Sequence, residues 1–189
     1  MTKCENEPKA MGTDKVKTPL DGTMSQFAGK TSEAVWLACA IESEGSIQLT
    51  WGKRADGYIQ LVPRINLANR SQEYIDCAYN IRHGKVFKSS SGVIYLTWYG
   101  MKRVKSVLEF IKPCMVIKRK LEIVDAVLEF IDYRLSVNPH VVYGEKERDL
   151  FLKVRELNGK GRVSKQELKF RFDESSTTIR HAQQELVKI

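Results

Sequence analysis

The sequence predicts an α+β fold: a saddle-shaped, four-stranded antiparallel sheet with helices on one face. The predicted core order is α-β-β-α-β-β-α, followed by a helical C-terminal tail. Two observations predict it. Apolar residues follow helical spacing before Gly45 and alternate after it, and turn-forming residues interrupt the alternation at Asp56-Gly57 and at Ser90-Ser91-Gly92. Two hairpins separated by a helix can form one antiparallel sheet, whose apolar face the helices cover.

The first helix is expected to begin at Thr31 or Ser32, since either is a good N-cap, and to stop at Gly45. The first hairpin follows between Ser46 and Leu67. The later predicted elements are a helix at Ser71–Arg82, strands at Lys85–Ser90 and Val93–Trp98, and helices at Met101–Ile111, Val116–Leu135, Glu145–Leu157, Ser164–Phe170 and Ser176–Val187.

Length and composition indicate one globular domain with a flexible extension. The chain has 189 residues, of which 42% are hydrophobic, enough for a core. Residues 1–30 lack a sustained apolar period and are expected to form a flexible N-terminal arm. Residues 31–189 are expected to form a single domain with a core at 31–135 and a helical tail at 136–189.

The charge balance points to a polyanionic partner. Lys and Arg number 31 and Asp and Glu number 23, which gives a net charge of +8. Such a balance favours nucleic acid over a membrane as the partner. No apolar run approaches the roughly 18 residues of a membrane span, and we expect neither a secretory signal nor a membrane partner.

The four cysteines show no C-x-x-C spacing, which argues against a zinc site. We expect them to be reduced and the protein to be intracellular, in a bacterial or archaeal cytoplasm or in an organelle.

The alternation leaves one face of the predicted sheet polar. Its members are Gln48, Thr50, Gln60, Arg64, Asn66, Lys88, Ser90, Tyr95 and Thr97, with Tyr58 and Val62 on the same side. Composition alone favours an ordinary solvated face, since antiparallel sheets commonly expose one side to water. The alternative is a face that binds nucleic acid.

The segment Trp36 to Ile47 resembles the signature of the LAGLIDADG homing endonucleases, with Leu37-Ala-Cys-Ala-Ile-Glu-Ser-Glu-Gly45 as its nine-residue core. It lies at the predicted helix-to-strand junction, as in that family. The run Lys112-Pro-Cys-Met-Val-Ile-Lys118 resembles the family's proline followed by a basic residue at the start of a long helix. The motif occurs once, so the chain resembles the single-motif, homodimeric type. The resemblance implies a site-specific endonuclease that hydrolyses double-stranded DNA at a long pseudopalindromic target, with Mg²⁺ as cofactor.

The resemblance also implies a dimer interface on the motif helix. Cys39 and Ser43 are four residues apart, so they share a helix face on which small side chains allow close approach of a second helix. We assign Trp36, Cys39 and Ser43 to this interface. The alternative is that this face packs within the monomer.

Glu44 is the principal catalytic candidate. It lies at a helix C-terminus, where the helix dipole disfavours an anion, which suggests a cation beside it. In a homodimer a second Glu44 would approach it, and oxygen ligands favour Mg²⁺ over Zn²⁺, with Mn²⁺ or Ca²⁺ able to substitute in binding. The family has an acidic metal ligand at this position, and by resemblance the Ser43 carbonyl adds a second ligand. The alternative is a solvated surface charge.

Three further residues are catalytic candidates by resemblance: Lys118, Asn69 and Arg70. Lys118 matches a lysine that points into the active site, and Asn69 matches a polar residue that orders water. Glu73 and Tyr74 lie where many members carry a basic residue, so Arg70 and Lys118 are the cations expected to complete the site. The alternative for Lys118 is a solvated first turn.

The DNA-binding residues expected from this hypothesis are Gln48, Thr50, Tyr58, Gln60, Val62, Arg64, Asn66, Lys88, Ser90, Tyr95, Thr97, Lys160 and Arg162. The last two would contact phosphates, and the others would reach base edges from a ribbon in the major groove. Two other functions stay open: an RNA maturase that binds its host intron RNA, and a DNA-binding protein that does not cleave.

Overall fold

The computed structural model describes residues 31–53, 59–137 and 143–159. Its elements, in chain order, are α1 (Ser32–Ser43), β1 (Gly45–Lys53), β2 (Ile59–Asn69), α2 (Gln72–Ile81), β3 (Lys85–Lys88), β4 (Ile94–Tyr99), α3 (Met101–Ile111), a 3-10 turn (Lys112–Cys114), α4 (Lys118–Ser136) and α5 (Glu145–Leu157). The predicted α+β fold is confirmed. The N-terminal arm, the two helices predicted beyond residue 160, Tyr58, Lys160 and Arg162 lie outside the described residues.

The four strands form one antiparallel sheet in the order β1-β2-β4-β3. Ile47, Ile65 and Trp98 lie in one row across three strands, and all three are fully buried. They share one core with apolar side chains from the helices, so the helices cover this face of the sheet. The opposite face carries the polar residues of the strands. Among the described residues, no helix is long and apolar enough to cross a membrane.

The register of the second hairpin places Lys88 on the apolar side of the sheet, so its assignment to the polar face was wrong. Lys88 pairs with the buried Ile94, and directly paired residues share a face. Strand β3 ends at Lys88, and Ser90 lies in the loop. Ser89 donates to Val93 O at 2.8 Å, so the loop spans five residues and sets the pairing. The residues that share a face with Tyr95 and Thr97 are therefore Phe87 and Lys85.

The junction between α1 and β1 is tight because Gly45 has no side chain. A Cβ at this position would lie 2.7 Å from both the Cα and the carbonyl oxygen of Ile41. Glycine therefore allows the strand to start directly after the helix. This fixes the direction in which Glu44 leaves the end of α1.

Helix α4 begins at Lys118, two residues later than the predicted Val116. Pro113 belongs to the preceding 3-10 turn, and the chain is extended at Met115 and Ile117. The amides of Val116 and Ile117 bind a side chain of α1. The helix start is thus set by a tertiary contact that local sequence does not encode.

Helix α5 is attached to the core by a buried ion pair. Arg134 Nη1 of α4 lies 2.9 Å from Glu147 Oε1, and the side chains are only 7% and 1% exposed. The Leu61 amide donates to the Tyr143 hydroxyl at 3.0 Å, just before α5. At the other end, Asn158 Nδ2 donates to Ile47 O at 2.9 Å. These contacts place α5 beside β1.

Candidate active site and sheet face

Glu44 terminates α1 and presents its carboxylate to solvent. Its backbone N–H donates to Ala40 O at 2.9 Å, which closes the last turn of the helix, and its side chain is exposed. The carboxylate therefore lies at the negative end of the helix dipole, where a bound cation would stabilise it.

Glu42, two residues earlier, has the opposite environment. It is 7% exposed, and its Oε1 accepts from Val116 N at 2.9 Å and from Ile117 N at 2.6 Å. A buried carboxylate is stable when such donors satisfy it, and here it provides the acceptors that the chain before α4 needs. Glu42 therefore fixes the start of α4 against the end of α1.

Lys120 makes the return contact from α4 to α1. Its Nζ donates to Gly45 O at 2.5 Å and to Ile41 O at 3.4 Å. Burial lowers the pKa of Lys120, the Arg119 charge lowers it further, and the Glu42 carboxylate opposes the shift. A cation on the last carbonyls of a helix is also favoured by the helix dipole. We call Glu42 and Lys120, with these four hydrogen bonds, the clasp.

The clasp brings two candidate catalytic residues to one corner of the molecule. In the sequence, Glu44 lies between Glu42 and Gly45, and Lys118 lies between Ile117 and Lys120. All four flanking residues take part in the clasp. Lys118 is the first residue of α4 and its side chain is exposed. Both side chains therefore leave the backbone where α1 and α4 meet.

Asn69 and Arg70 belong to the same corner. Gly45 pairs with Leu67, so the end of β2 lies beside the start of β1. The Asn69 side-chain oxygen accepts from Ser71 N at 2.9 Å, and Ser71 in turn caps α2. This turn holds Asn69 half-buried and leaves Arg70 exposed. The pairing thus places the end of β2, which carries Asn69 and Arg70, beside the start of β1 that follows Glu44.

Tyr74, to which the sequence analysis gave no role, lies beside the end of α1. Its ring lies 5.2 Å from that of Trp36, tilted by 50°. Burial raises the pKa of the Tyr74 phenol, a hydrogen bond with the Ser43 side chain lowers it, and the Glu44 charge raises it. The phenol therefore stands beside the end of α1, near Ser43 and Glu44. The sequence did indicate that Tyr74 lies in the first turn of α2, directly after the end of β2.

Glu44 is the acidic ligand available for a metal ion at this corner. No group of three or more His, Cys, Asp or Glu side chains suited to a metal occurs within residues 31–53, 59–137 and 143–159. Mg²⁺ often binds through one or two carboxylates together with substrate phosphate oxygens and water, so an exposed Glu44 fits that ion. The Ser43 hydroxyl donates to Cys39 O at 2.9 Å. The resemblance implies the Ser43 carbonyl as a second oxygen ligand.

The face of α1 assigned to a dimer interface is accessible in the single chain. Cys39 and Ser43 are exposed, whereas Leu37, Ala38 and Ile41 on the other side of the helix are buried in the core. Trp36 is half-buried because it packs on Tyr74. The small exposed side chains leave room for close approach of another surface.

The polar face of the sheet consists of rows that cross the strands. Gln48, Arg64 and Tyr99 form one row, and Arg64 and Tyr99 are exposed. Thr50 pairs with Val62, and its hydroxyl donates to Val62 O at 3.2 Å. Gln60, opposite Gly52, is half-buried near the end of the first hairpin.

A second row contains Ser46, Asn66, Thr97 and Lys85. Thr97 is only 5% exposed, and its hydroxyl donates to Asn66 Oδ1 at 2.9 Å. This bond occupies part of the hydrogen-bonding capacity expected of both residues. The residues of the face that sequence reasoning omitted are Ser46, Lys85, Phe87 and Tyr99. Assigning Lys85 and Phe87 to the polar face required the register of the second hairpin, which the sequence pattern did not give.

The architecture matches solved structures of homing endonucleases. The chain superposes on I-CvuI in complex with its target with a TM-score of 0.57 at 16% identity, covering 76% of this chain and 94% of that one. The archaeal intron-encoded homing endonuclease I-Vdi141I, complexed with DNA, gives 0.59 at 12% identity, covering 77% and 97%. The LAGLIDADG homing endonuclease I-SmaMI, bound to cleaved DNA, gives 0.54 at 16% identity, and the match covers 78% of this chain but 49% of that one.

These likenesses establish that the fold is the one found in LAGLIDADG homing endonucleases, as the motif resemblance implied. By sequence, no family model and no curated protein matches the chain.

Proposed function

We propose that this protein is a site-specific double-strand DNA endonuclease of the homing type, which acts as a Mg²⁺-dependent homodimer. The observation that carries the proposal is the corner where α1 and α4 meet. There the clasp joins the end of α1, which carries the exposed carboxylate of Glu44, to the start of α4, which carries the exposed cation of Lys118, next to the first residue of β1. An acid, a cation and a surface that can read bases are the parts that such an enzyme needs.

The sheet face supports binding in the DNA major groove. Its rows offer an arginine, amides and hydroxyls at strand spacing, which suit the donor and acceptor patterns of base edges. The net charge of +8 favours the phosphate backbone. Strands of 9 and 11 residues span about 30 Å, or roughly nine base pairs for each subunit.

A homodimer follows from the single motif and the accessible face of α1. Cys39 and Ser43 present small side chains to solvent, and a two-fold axis along this face would pair the same helix from two subunits. The match to I-SmaMI covers 49% of that chain, so one copy of the present chain corresponds to about half of it. Two copies would also bring two Glu44 carboxylates together and read a pseudopalindromic target.

In the proposed mechanism, Glu44 and the Ser43 carbonyl of each subunit would hold Mg²⁺. When bound, Mg²⁺ supplies Lewis-acid stabilisation of phosphate charge and lowers the pKa of a bound water. Asn69 and Arg70 orient water and phosphate at the end of β2. Lys118 stabilises the charge that builds on the phosphate as water attacks phosphorus and a P–O bond breaks. Mn²⁺ and Ca²⁺ are expected to substitute in binding.

The test is incubation of the purified protein with a randomised plasmid library in Mg²⁺, followed by sequencing of cut ends. We expect cuts at one long pseudopalindromic site. Glu44→Gln should abolish cleavage and retain binding to that site, because it removes the charged ligand but keeps the shape of the side chain. Specific binding without cleavage by the wild type would indicate a non-cleaving DNA-binding protein. Cleavage by Glu44→Gln at the wild-type rate would refute the ligand assignment.

A further inference from the structure

An aromatic pair, of which Phe87 is exposed and Tyr95 half-buried, stands on the polar face of the sheet near the candidate active site. Phe87 of β3 and Tyr95 of β4 are directly paired, their ring centroids are 4.9 Å apart, and the rings are within 8° of parallel. Phe87 is 47% exposed. The stack therefore presents apolar ring surface on a face that is otherwise polar.

The position of this pair along the face is defined by the register. Tyr95 also pairs with Ala68, and the neighbouring pair joins Leu67 to Gly45 at the first residue of β1. The row formed by Ala68, Tyr95 and Phe87 is therefore the row of the polar face that lies level with the end of α1. The rows of Arg64 and Gln60 follow toward the far end of the first hairpin.

The surroundings of the pair favour DNA over another protein as its partner. Lys85 lies two residues before Phe87 on the same face and is exposed, and Arg64 is exposed farther along β2. In the row between, the Thr97 hydroxyl already donates to Asn66. This end of the face therefore offers apolar ring surface beside a cation, together with the hydroxyl of Tyr95. The feature of a base pair that matches apolar contact in the major groove is the C5-methyl group of thymine.

We propose that Phe87 and Tyr95 form a specificity-determining site that recognises the C5-methyl group of a pyrimidine at an inner position of each half-site. This inference rests on the proposed function, because it requires the polar face to lie in the major groove. The expected contribution is that of burying one methyl group, about fourfold in affinity for each contact.

The experiment separates the base methyl from all other contacts. A binding selection from a randomised duplex library in Ca²⁺ gives the preferred site, and duplexes are then made with deoxyuridine in place of one thymine at a time. Deoxyuridine keeps the base-pairing groups and lacks only the methyl. We expect binding to weaken about fourfold for at least one inner thymine of each half-site.

Matched variants assign the effect to the aromatic pair. Phe87→Ser should remove the deoxyuridine penalty at that position, and Phe87→Leu, which stays apolar, should retain part of it. Val86→Ser is the control, because Val86 is the adjacent residue, is 40% exposed, and lies on the opposite face of the same strand. It should leave the penalty unchanged. An unchanged thermal unfolding midpoint, followed by circular dichroism, is the check that each variant keeps the wild-type fold.

Three results would overturn the inference: a preferred site without an inner thymine, inner thymines that tolerate deoxyuridine, or a penalty that persists in Phe87→Ser. The last result would mean that the aromatic pair only stabilises the edge strand. A selection that enriches no sequence would instead refute the proposed function, so the two failures are distinguishable.

Discussion

Two acidic residues at the end of α1 have different roles because their partners differ. Glu42 is buried and accepts two backbone hydrogen bonds, whereas Glu44 is exposed at the helix end. The same residue type thus acts as a structural anchor at one position and is available for a metal ion two residues later.

Glu42→Ala should lower the free energy of unfolding by about 1–3 kcal/mol, because it leaves the Val116 and Ile117 amides without their acceptor. Glu44→Ala is the control and should leave stability unchanged or raise it by up to about 1 kcal/mol, since it removes an anion from a helix C-terminus. Urea unfolding measures both variants. Equal losses of stability would contradict the difference in roles.

Lys118→Met should lower the single-turnover cleavage rate on the order of 10²-fold or more at saturating DNA, with little change in binding. The reason is that a charge aimed at the reacting phosphate acts more strongly in the transition state than in the bound state. Arg119→Met is the control, because successive helical residues point about 100° apart. A normal rate for Lys118→Met would make Lys118 an ordinary phosphate contact.

At the scale of elements, the position of α5 depends on a buried ion pair as well as on apolar packing. The Arg134–Glu147 pair is buried between α4 and α5, and the Glu147 Oε2 atom also accepts from Gly144 N at 2.9 Å. Glu147 therefore neutralises a buried guanidinium and shapes the start of α5 at the same time.

Glu147→Gln should destabilise the protein by about 3–5 kcal/mol, because a buried arginine loses its counter-charge. The exposed Lys146–Glu129 pair joins the same two helices, so Glu129→Gln is the matched control and should cost less than about 1 kcal/mol. Thermal and urea unfolding provide the comparison. Similar losses for both variants would show that burial of the Arg134 pair has no energetic consequence.

A second prediction at this scale concerns base recognition by the polar sheet face. Arg64→Ala should relax the preference at one base pair of each half-site and cost roughly 1–3 kcal/mol there, because Arg64 is exposed at the middle of the face. Arg103→Ala, an exposed arginine on α3, should not change the preferred sequence. Binding to single-substitution duplexes tests this. A uniform loss for every sequence would indicate that Arg64 contacts only phosphate.

For the whole molecule, the exposed face of α1 is the surface that a second subunit would cover. Cys39→Phe should produce monomers, because a large ring would overpack a contact made by small side chains. Cys39→Ser keeps a small side chain at the same exposed position and should leave the dimer intact. Sedimentation velocity distinguishes the two. A dimer that persists in Cys39→Phe, or a wild-type monomer, would contradict the proposed interface.

The sequence alone determined the order of elements, because helix caps and apolar periodicity are local properties. Thr31 caps α1, Gly45 allows β1 to follow at once, and the alternation from Ile47 to Leu67 defines the two faces of the first hairpin. The motif resemblance also selected Glu44, Lys118, Asn69 and Arg70, and the structure places Glu44 at the end of α1, Lys118 at the start of α4, and Asn69 and Arg70 at the end of β2. Their proposed chemistry stays a prediction.

Only the tertiary structure decided contacts between residues far apart in the chain. The bonds from Val116 and Ile117 to Glu42 span 74 and 75 residues, and the Lys120 bond to Gly45 spans 75. The length of the loop between β3 and β4 decided which side chains of β3 lie on the polar face. A shift of one residue in register moves every side chain to the opposite side. That shift replaced Lys88 with Phe87 and Lys85 on the polar face. Local patterns specify which residues alternate, but long-range pairing fixes which of them meet.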